Sequence, residues 1–236
     1  MKPVLTCRHA LFLDLDGTLL DLAPTPADVV VPDDLDALLT GLMAGRGGAL
    51  AILSGRTLPD IDAVVGSRFP AGAEHGFLLR DSDGAITRPA AGTANRPGWR
   101  SALQQAAIAM PGVTIELKIH TLVAHFRAAP ERGPELRAMI EAMIAGDPSV
   151  ELLEAHMAWE IRPKGVSKGT ALDWFMRRKP FADRIPVFIG DDITDESAID
   201  MARKMGGIGL HVARDFGGRT AFVRGWLGEA VRDEAG

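Results

Sequence analysis

Cysteine is almost missing from this chain: Cys7 is the only one among 236 residues, so no disulfide can form within it and a reducing compartment is the natural setting. Apolar runs of membrane length are missing too, because polar residues interrupt each one. The stretch from Met1 to Ala10 lacks a basic segment followed by a long apolar one. A cytoplasmic protein that engages no membrane is the expectation. No run of Lys and Arg is dense enough to track a phosphate backbone and formal net charge is −5, which argues against nucleic acid as a partner. Common ligand signatures are also absent. There is no P-loop, the Gly207/Gly209 pair lacks dinucleotide spacing, and the six histidines are scattered without metal-ligand spacing. Thr18 and Leu19 stand where a calcium loop requires an oxygen ligand and a glycine.

What is present is a hydrophobic fraction of 47%, enough for a sizeable core and inconsistent with disorder. The length suits one domain with a large insertion or two unequal domains. Short apolar runs bounded by turn residues alternate with helical patterns, which points to an α/β fold with a parallel sheet. Strands are predicted at Ala10 to Leu15, Ala49 to Leu53, Pro186 to Gly190 and Gly207 to Val212. Helices are predicted at Asp33 to Ala44, Thr57 to Val65, Lys168 to Arg177 and Glu196 to Met205.

The middle of the chain breaks this rhythm after Asn95-Arg96-Pro97-Gly98. A helix over Trp99 to Met110 precedes strict alternation at Val113 to Lys118, with Val113, Ile115 and Leu117 on the apolar face. Leu122 to Arg127 reads as a second strand, Glu135 to Ala145 as an amphipathic helix, and Val150 to Leu153 and Ala158 to Arg162 as two more strands. This αββαββ order predicts a small layer in which two helices cover the apolar face of an antiparallel sheet. Its other face would carry Glu116, Lys118, His125, Arg127, Glu160 and Arg162, a mixture suited either to solvent or to a polyhydroxylated ligand.

Four polar clusters carry the chemistry. They are Asp14-Leu15-Asp16-Gly17-Thr18 at a strand end, Leu53-Ser54-Gly55-Arg56 at another, Lys168-Gly169-Thr170 at a helix start, and Gly190-Asp191-Asp192-Ile193-Thr194-Asp195 after a third strand. Each alone has an ordinary explanation as a turn or a solvated helix start. Together, at the rim of an open α/β sheet, they gather up to five carboxylates: Asp14, Asp16, Asp191, Asp192 and Asp195. Like charges that close call for a hard divalent cation, and Mg²⁺ suits oxygen ligands and a substrate phosphate. Such a site is built for phosphoryl transfer. In that chemistry Asp14 is the nucleophile, Asp16 the general acid and base, and Ser54 and Lys168 hold phosphoryl oxygens, with Arg56 beside them as a substrate contact. Asp191 is the best metal ligand outside the first loop, Asp14 and the main-chain carbonyl of Asp16 supply two more, and Asp192 and Asp195 hold metal-bound waters or fix Lys168.

On these residues the chain resembles the haloacid-dehalogenase (HAD) superfamily, whose four motifs match the four clusters in order. Within it the chain is similar to the trehalose-6-phosphate phosphatases from about Leu11 to Val223. Further matches are Gly72-Ala73-Glu74-His75-Gly76 with Arg80, Glu116-x-Lys118 ahead of His125-Phe126-Arg127, and Glu160-Ile161-Arg162-Pro163 before Lys168-Gly169. The resemblance implies a Rossmann-like core (1–96 and 164–236), an inserted α+β cap (97–163) that closes over substrate, and Mg²⁺. It assigns Glu116, Lys118 and Glu160 to sugar hydroxyls and places His75 and Arg127 near the ligand or the domain interface. The implied reaction is hydrolysis of trehalose 6-phosphate by a monomer, functionally linked to trehalose-phosphate synthase. Competing readings are a phosphatase for a glycosyl-glycerate or sucrose phosphate, a phosphosugar mutase, and a sugar-phosphate-binding subunit without turnover. Asp16 disfavours the last, since a pure binder needs no general acid.

Overall fold

Strand β1, His9–Leu13, is buried along its whole length, as a central strand covered on both faces must be. The computed structural model describes residues 2–23, 28–88, 94–118, 120–155 and 157–233. After β1 come α1 (Leu35–Gly45), β2 (Leu50–Leu53), α2 (Leu58–Val65), β3 (Ala71–Ala73), β4 (Leu78–Arg80) and β5 (Ile86–Thr87). The middle of the chain forms α3 (Pro97–Ala109), β6 (Thr114–Leu117), β7 (Leu122–His125), α4 (Gly133–Ile144), β8 (Val150–Ala155) and β9 (Ala158–Pro163). The last third adds α5 (Lys168–Met176), β10 (Ile185–Gly190), α6 (Glu196–Lys204), β11 (Ile208–His211), α7 (Val212–Phe216) and α8 (Thr220–Asp233). Two compact units result, Met1–Pro89 with Ser167–Gly236, and Ala90–Val166.

In the first unit the described strands form one seven-stranded sheet, ordered β11-β10-β1-β2-β3-β4-β5. The pairs from β11 through β3 are parallel. Side chains alternate across β1, so Leu11 and Leu13 enter one core with α1, α2 and α8, while Ala10 and Phe12 enter another with α5 and α6. Phe12 stacks on Phe181 with ring centroids 5.3 Å apart, and truncating so enclosed an aromatic costs about 3–5 kcal/mol. The chain leaves β1 for β2 on one side and returns to β10 on the other. The strand order therefore reverses at β1, and the crevice at the carboxyl ends of β1, β2 and β10 is where such sheets bind ligands.

The sheet is not wholly parallel, as the sequence pattern suggested. β4 and β5 are antiparallel additions at its edge. They are three and two residues long, too short to imprint a period.

The second unit has a four-stranded antiparallel sheet, ordered β6-β7-β9-β8. Leu103 of α3 and Leu136 and Ile140 of α4 bury against Leu122, Ala124, Trp159 and Ile161 on one face. Leu117 lies on the expected side of the sheet, opposite Leu122, but at the end of the edge strand β6 it is 41% exposed. Arg127 lies past the end of β7, in a turn, and is exposed.

Candidate active site

The peptide after β1 folds into one tight turn. The Leu15 carbonyl accepts hydrogen bonds from the amides of Thr18, Leu19 and Leu20, and the Gly17 amide donates to the Leu20 carbonyl at 2.8 Å. Gly17 has φ +75°, and a Cβ there would lie 2.0 Å from Asp191 Oδ2. Only glycine lets the first loop and the fourth come this close.

Asp14 and Asp191 flank the Thr18 hydroxyl, at 3.2 Å and 3.4 Å. Thr18 is fully buried, and its position between the two acids was not foreseen from sequence, where it counted only as a turn residue. The amide of Asp14 donates to the Ile189 carbonyl of β10, which ties the end of β1 to the strand that delivers Asp191.

Lys168 enters at the start of α5, where the Ser167 side chain accepts from the Thr170 amide and the Thr170 hydroxyl accepts from the Ser167 amide. A cation at a helix N-terminus opposes the helix dipole. Two carboxylates offset that here: Lys168 Nζ donates to Asp14 Oδ1 at 2.6 Å and to Asp195 Oδ1 at 2.5 Å. Burial acts against the ammonium, but Asp14 and Asp195 outweigh it and hold its pKa above the ordinary lysine value.

Asp195 is fully buried, and its Oδ2 accepts the amides of Asp191 at 2.9 Å and Asp192 at 3.1 Å. Both of its oxygens are thus engaged by the lysine and the loop. Asp192 points elsewhere: it is exposed and caps the turn Ile193–Asp195 by accepting from the Ile193 amide at 2.7 Å. Gly190 has no room for a side chain, since a Cβ would sit 2.4 Å from Asp195 Cγ.

The second cluster borders the same rim. Ser54 is buried at the end of β2, where its hydroxyl accepts from the Arg56 amide and its carbonyl from the His75 amide. Arg56 grips Asp16 with two bonds, Nε to Oδ2 at 2.7 Å and Nη2 to Oδ1 at 2.6 Å. His75 has left-handed backbone angles (φ 59°), as does Glu74 (φ 50°), and its ring lies against Gly55, where a Cβ would fall 2.7 Å from the imidazole. Arg80, matched by resemblance, is an internal strut that pairs with Asp62 and the Phe69 carbonyl.

Among the described residues, Asp14, Asp191 and Asp195 bring carboxylate oxygens within 4.8 Å of one another. One ammonium faces three buried or half-buried acids. Burial, then Asp195 and Asp191, raise the Asp14 carboxyl to about 7 against the pull of Lys168. Burial and the neighbouring Asp195 and Asp192 likewise raise Asp191. An all-oxygen donor set with surplus negative charge fits a hard divalent cation.

Residues 12–221 match the family model described as trehalose-phosphatase. The chain belongs to the trehalose-phosphatase family. It is 40% identical over 205 residues to a probable trehalose-phosphate phosphatase of Sinorhizobium fredii, covering 86% of this chain and 77% of that one. It is 35% identical over 211 residues to the trehalose-6-phosphate phosphatase of Escherichia coli, covering 89% and 79%. Among solved structures, the trehalose-6-phosphate phosphatase of Aspergillus fumigatus superposes with a TM-score of 0.70 at 26% identity, over 96% of this chain and 93% of that one. This trehalose-phosphatase family member is therefore an enzyme with a HAD-type fold.

In the second unit of the trehalose-phosphatase chain, strand register places Glu116 beside Val123 and Val123 beside Glu160 on the face away from the helices. Lys118 Nζ lies 3.9 Å from Glu160 Oε1, and His125 Nε2 is 3.0 Å from Glu116 Oε2. Arg162 pairs with Glu151. Buried Val123 sits in the middle of this polar row, a residue that the alternation had left unassigned.

Proposed function

We propose that this enzyme hydrolyses trehalose 6-phosphate to trehalose and phosphate through a phospho-aspartate on Asp14. The observation that carries the reading is the meeting of Asp14, Asp191 and Lys168 at the carboxyl ends of the central strands. Asp14 attacks phosphorus, an O–P bond forms, and the bond from phosphorus to the sugar oxygen breaks. Asp16 gives its proton to that departing oxygen. It then takes a proton from the water that attacks phosphorus, the Asp14–phosphate bond breaks, and free carboxylate returns. Arg56 donates to both oxygens of Asp16 and so fixes the position of its carboxyl group beside Asp14 in the first loop. Lys168 and Ser54 meet phosphoryl oxygens as charge redistributes.

Asp14 and Asp191, with the main-chain carbonyl of Asp16, would hold Mg²⁺, which when bound supplies positive charge against the transferring phosphoryl group. Asp195 fixes Lys168 and the loop, and Asp192 shapes the turn that presents Asp191. In the second unit Glu116, Lys118 and Glu160 are read as contacts to sugar hydroxyls, with His125 and Arg127 beside them, and His75 as a contact from the first unit.

Phosphate release from trehalose 6-phosphate with Mg²⁺ tests the reading. Asp14→Asn is expected to lose at least a thousandfold in kcat, and wild-type turnover in that variant would overturn the mechanism. A panel containing sucrose phosphate and a glycosyl-glycerate phosphate tests the substrate; tenfold higher kcat/KM for either of them would replace trehalose 6-phosphate.

A further inference from the structure

The turn that carries Asp16, Gly17 and Thr18 does not satisfy itself. Its amides converge on the Leu15 and Leu20 carbonyls, while the carbonyl of fully buried Leu19 takes its donor from the far end of the chain. Arg224 Nη1, one turn into α8, donates to the Leu19 oxygen at 2.6 Å. The same nitrogen donates to Thr220 Oγ1 at 3.1 Å, and Thr220 Oγ1 in turn donates to Asp21 Oδ1 at 2.5 Å. A hydroxyl bridging a guanidinium and a carboxylate is charge-assisted on both sides. Thr220 and Arg224 are four residues apart, so they lie on one helix face, and their two contacts, Leu19 and Asp21, bracket Leu20. Asp21 also stands at the N-terminus of the fourteen-residue α8, where the helix dipole favours an anion.

We propose that Arg224 and Thr220 are positioning residues: α8 clamps the loop from Leu19 to Asp21 and thereby fixes Thr18 between Asp14 and Asp191. The proposal rests on the reading of Asp14 as the nucleophile. Leu19 is the neighbour of Thr18, so a shift of its carbonyl carries the Thr18 hydroxyl with it. The clamp also stands beside the reacting groups, because Asp21 and Thr220 line, with Gly17 and Asp191, one cavity of about 290 Å³. Arg224 itself falls beyond the matched stretch 12–221.

Arg224→Met keeps the aliphatic stem and removes the donors. Two measurements are made on the full chain with Mg²⁺: amide hydrogen exchange, and steady-state kinetics with trehalose 6-phosphate and with para-nitrophenyl phosphate. The expected result is exchange at least tenfold faster at amides 17–20 with β10 protection unchanged. With it goes a kcat lower by about tenfold on both substrates, the size of effect one charge-assisted hydrogen bond can supply, at a KM within twofold. Wild-type protection of amides 17–20, or wild-type kcat despite a loosened loop, overturns the proposal. Should Arg224→Met fail to fold, Thr220→Val leaves the Arg224–Leu19 bond in place and removes the hydroxyl that joins Arg224 to Asp21. It is expected to show the same pattern at about threefold, and no change in either reading is fatal to the clamp. Exchange needs no turnover, so the clamp and the role of Asp14, judged by Asp14→Asn, stand or fall separately.

Discussion

Gly17 shows how tightly single residues are set at this site. A Cβ there would fall 2.0 Å from Asp191 Oδ2, and the backbone already sits at φ +75°. Gly17→Ala is therefore expected to push Asp191 away from Asp14 and lower kcat by about a hundredfold, the cost that a misplacement of roughly 1 Å can carry. Fold is retained, so near-wild-type circular dichroism with lost phosphate release would check it; full activity would show that the two loops tolerate separation. At this scale much was legible in the sequence. Asp14, Asp16, Ser54, Lys168 and Asp191 each sit in a strand-turn-helix signal that is local, and local signals survive without coordinates. Partnerships were not legible. That Arg56 takes both oxygens of Asp16, and that Thr18 stands between Asp14 and Asp191, depends on contacts between residues 40 and 173 positions apart. The run Asp191 to Asp195 also conceals opposite fates, since Asp195 is fully buried and Asp192 is exposed.

Among elements, the antiparallel sheet of the second unit offers the sharpest test of substrate choice. Glu116 and Glu160 share a row across β6, β7 and β9, with Lys118 3.9 Å from Glu160. If that row reads sugar hydroxyls, Glu116→Ala should raise KM for trehalose 6-phosphate by about tenfold, the worth of a charged hydrogen bond, and leave KM for para-nitrophenyl phosphate within twofold. Equal changes on both substrates would remove the row from sugar recognition. Periodicity found this sheet because its strands alternate, and it found β1, β2 and β10 because buried parallel strands are apolar throughout. It missed β3, β4 and β5, which span three, three and two residues. It put Leu117 on the correct side of the sheet but could not foresee its 41% exposure, because alternation reports which side a residue faces and not how deeply it is buried.

For the molecule as a whole, the surplus of negative charge at the sheet rim predicts a link between cation binding and stability. Mg²⁺ at about a hundred times its dissociation constant would contribute about 2.7 kcal/mol to the folded state. Thermal unfolding should therefore shift upward by several degrees with Mg²⁺ in the wild type and not in Asp191→Asn; an equal shift in both would place the cation elsewhere. No helix among the described residues is long and apolar enough to cross a membrane.

The order of the strands also bears on how the chain is made. β1 is built from residues 9–13, yet one of its two neighbours, β10, comes from residues 185–190. Until residue 191 has left the ribosome, Asp14 stands without the Lys168 and Asp191 that surround it in the folded protein. On the proposed reading, assembly of the site therefore waits for β10 and the loop after it, and a product cut short before them carries Asp14 without its partners.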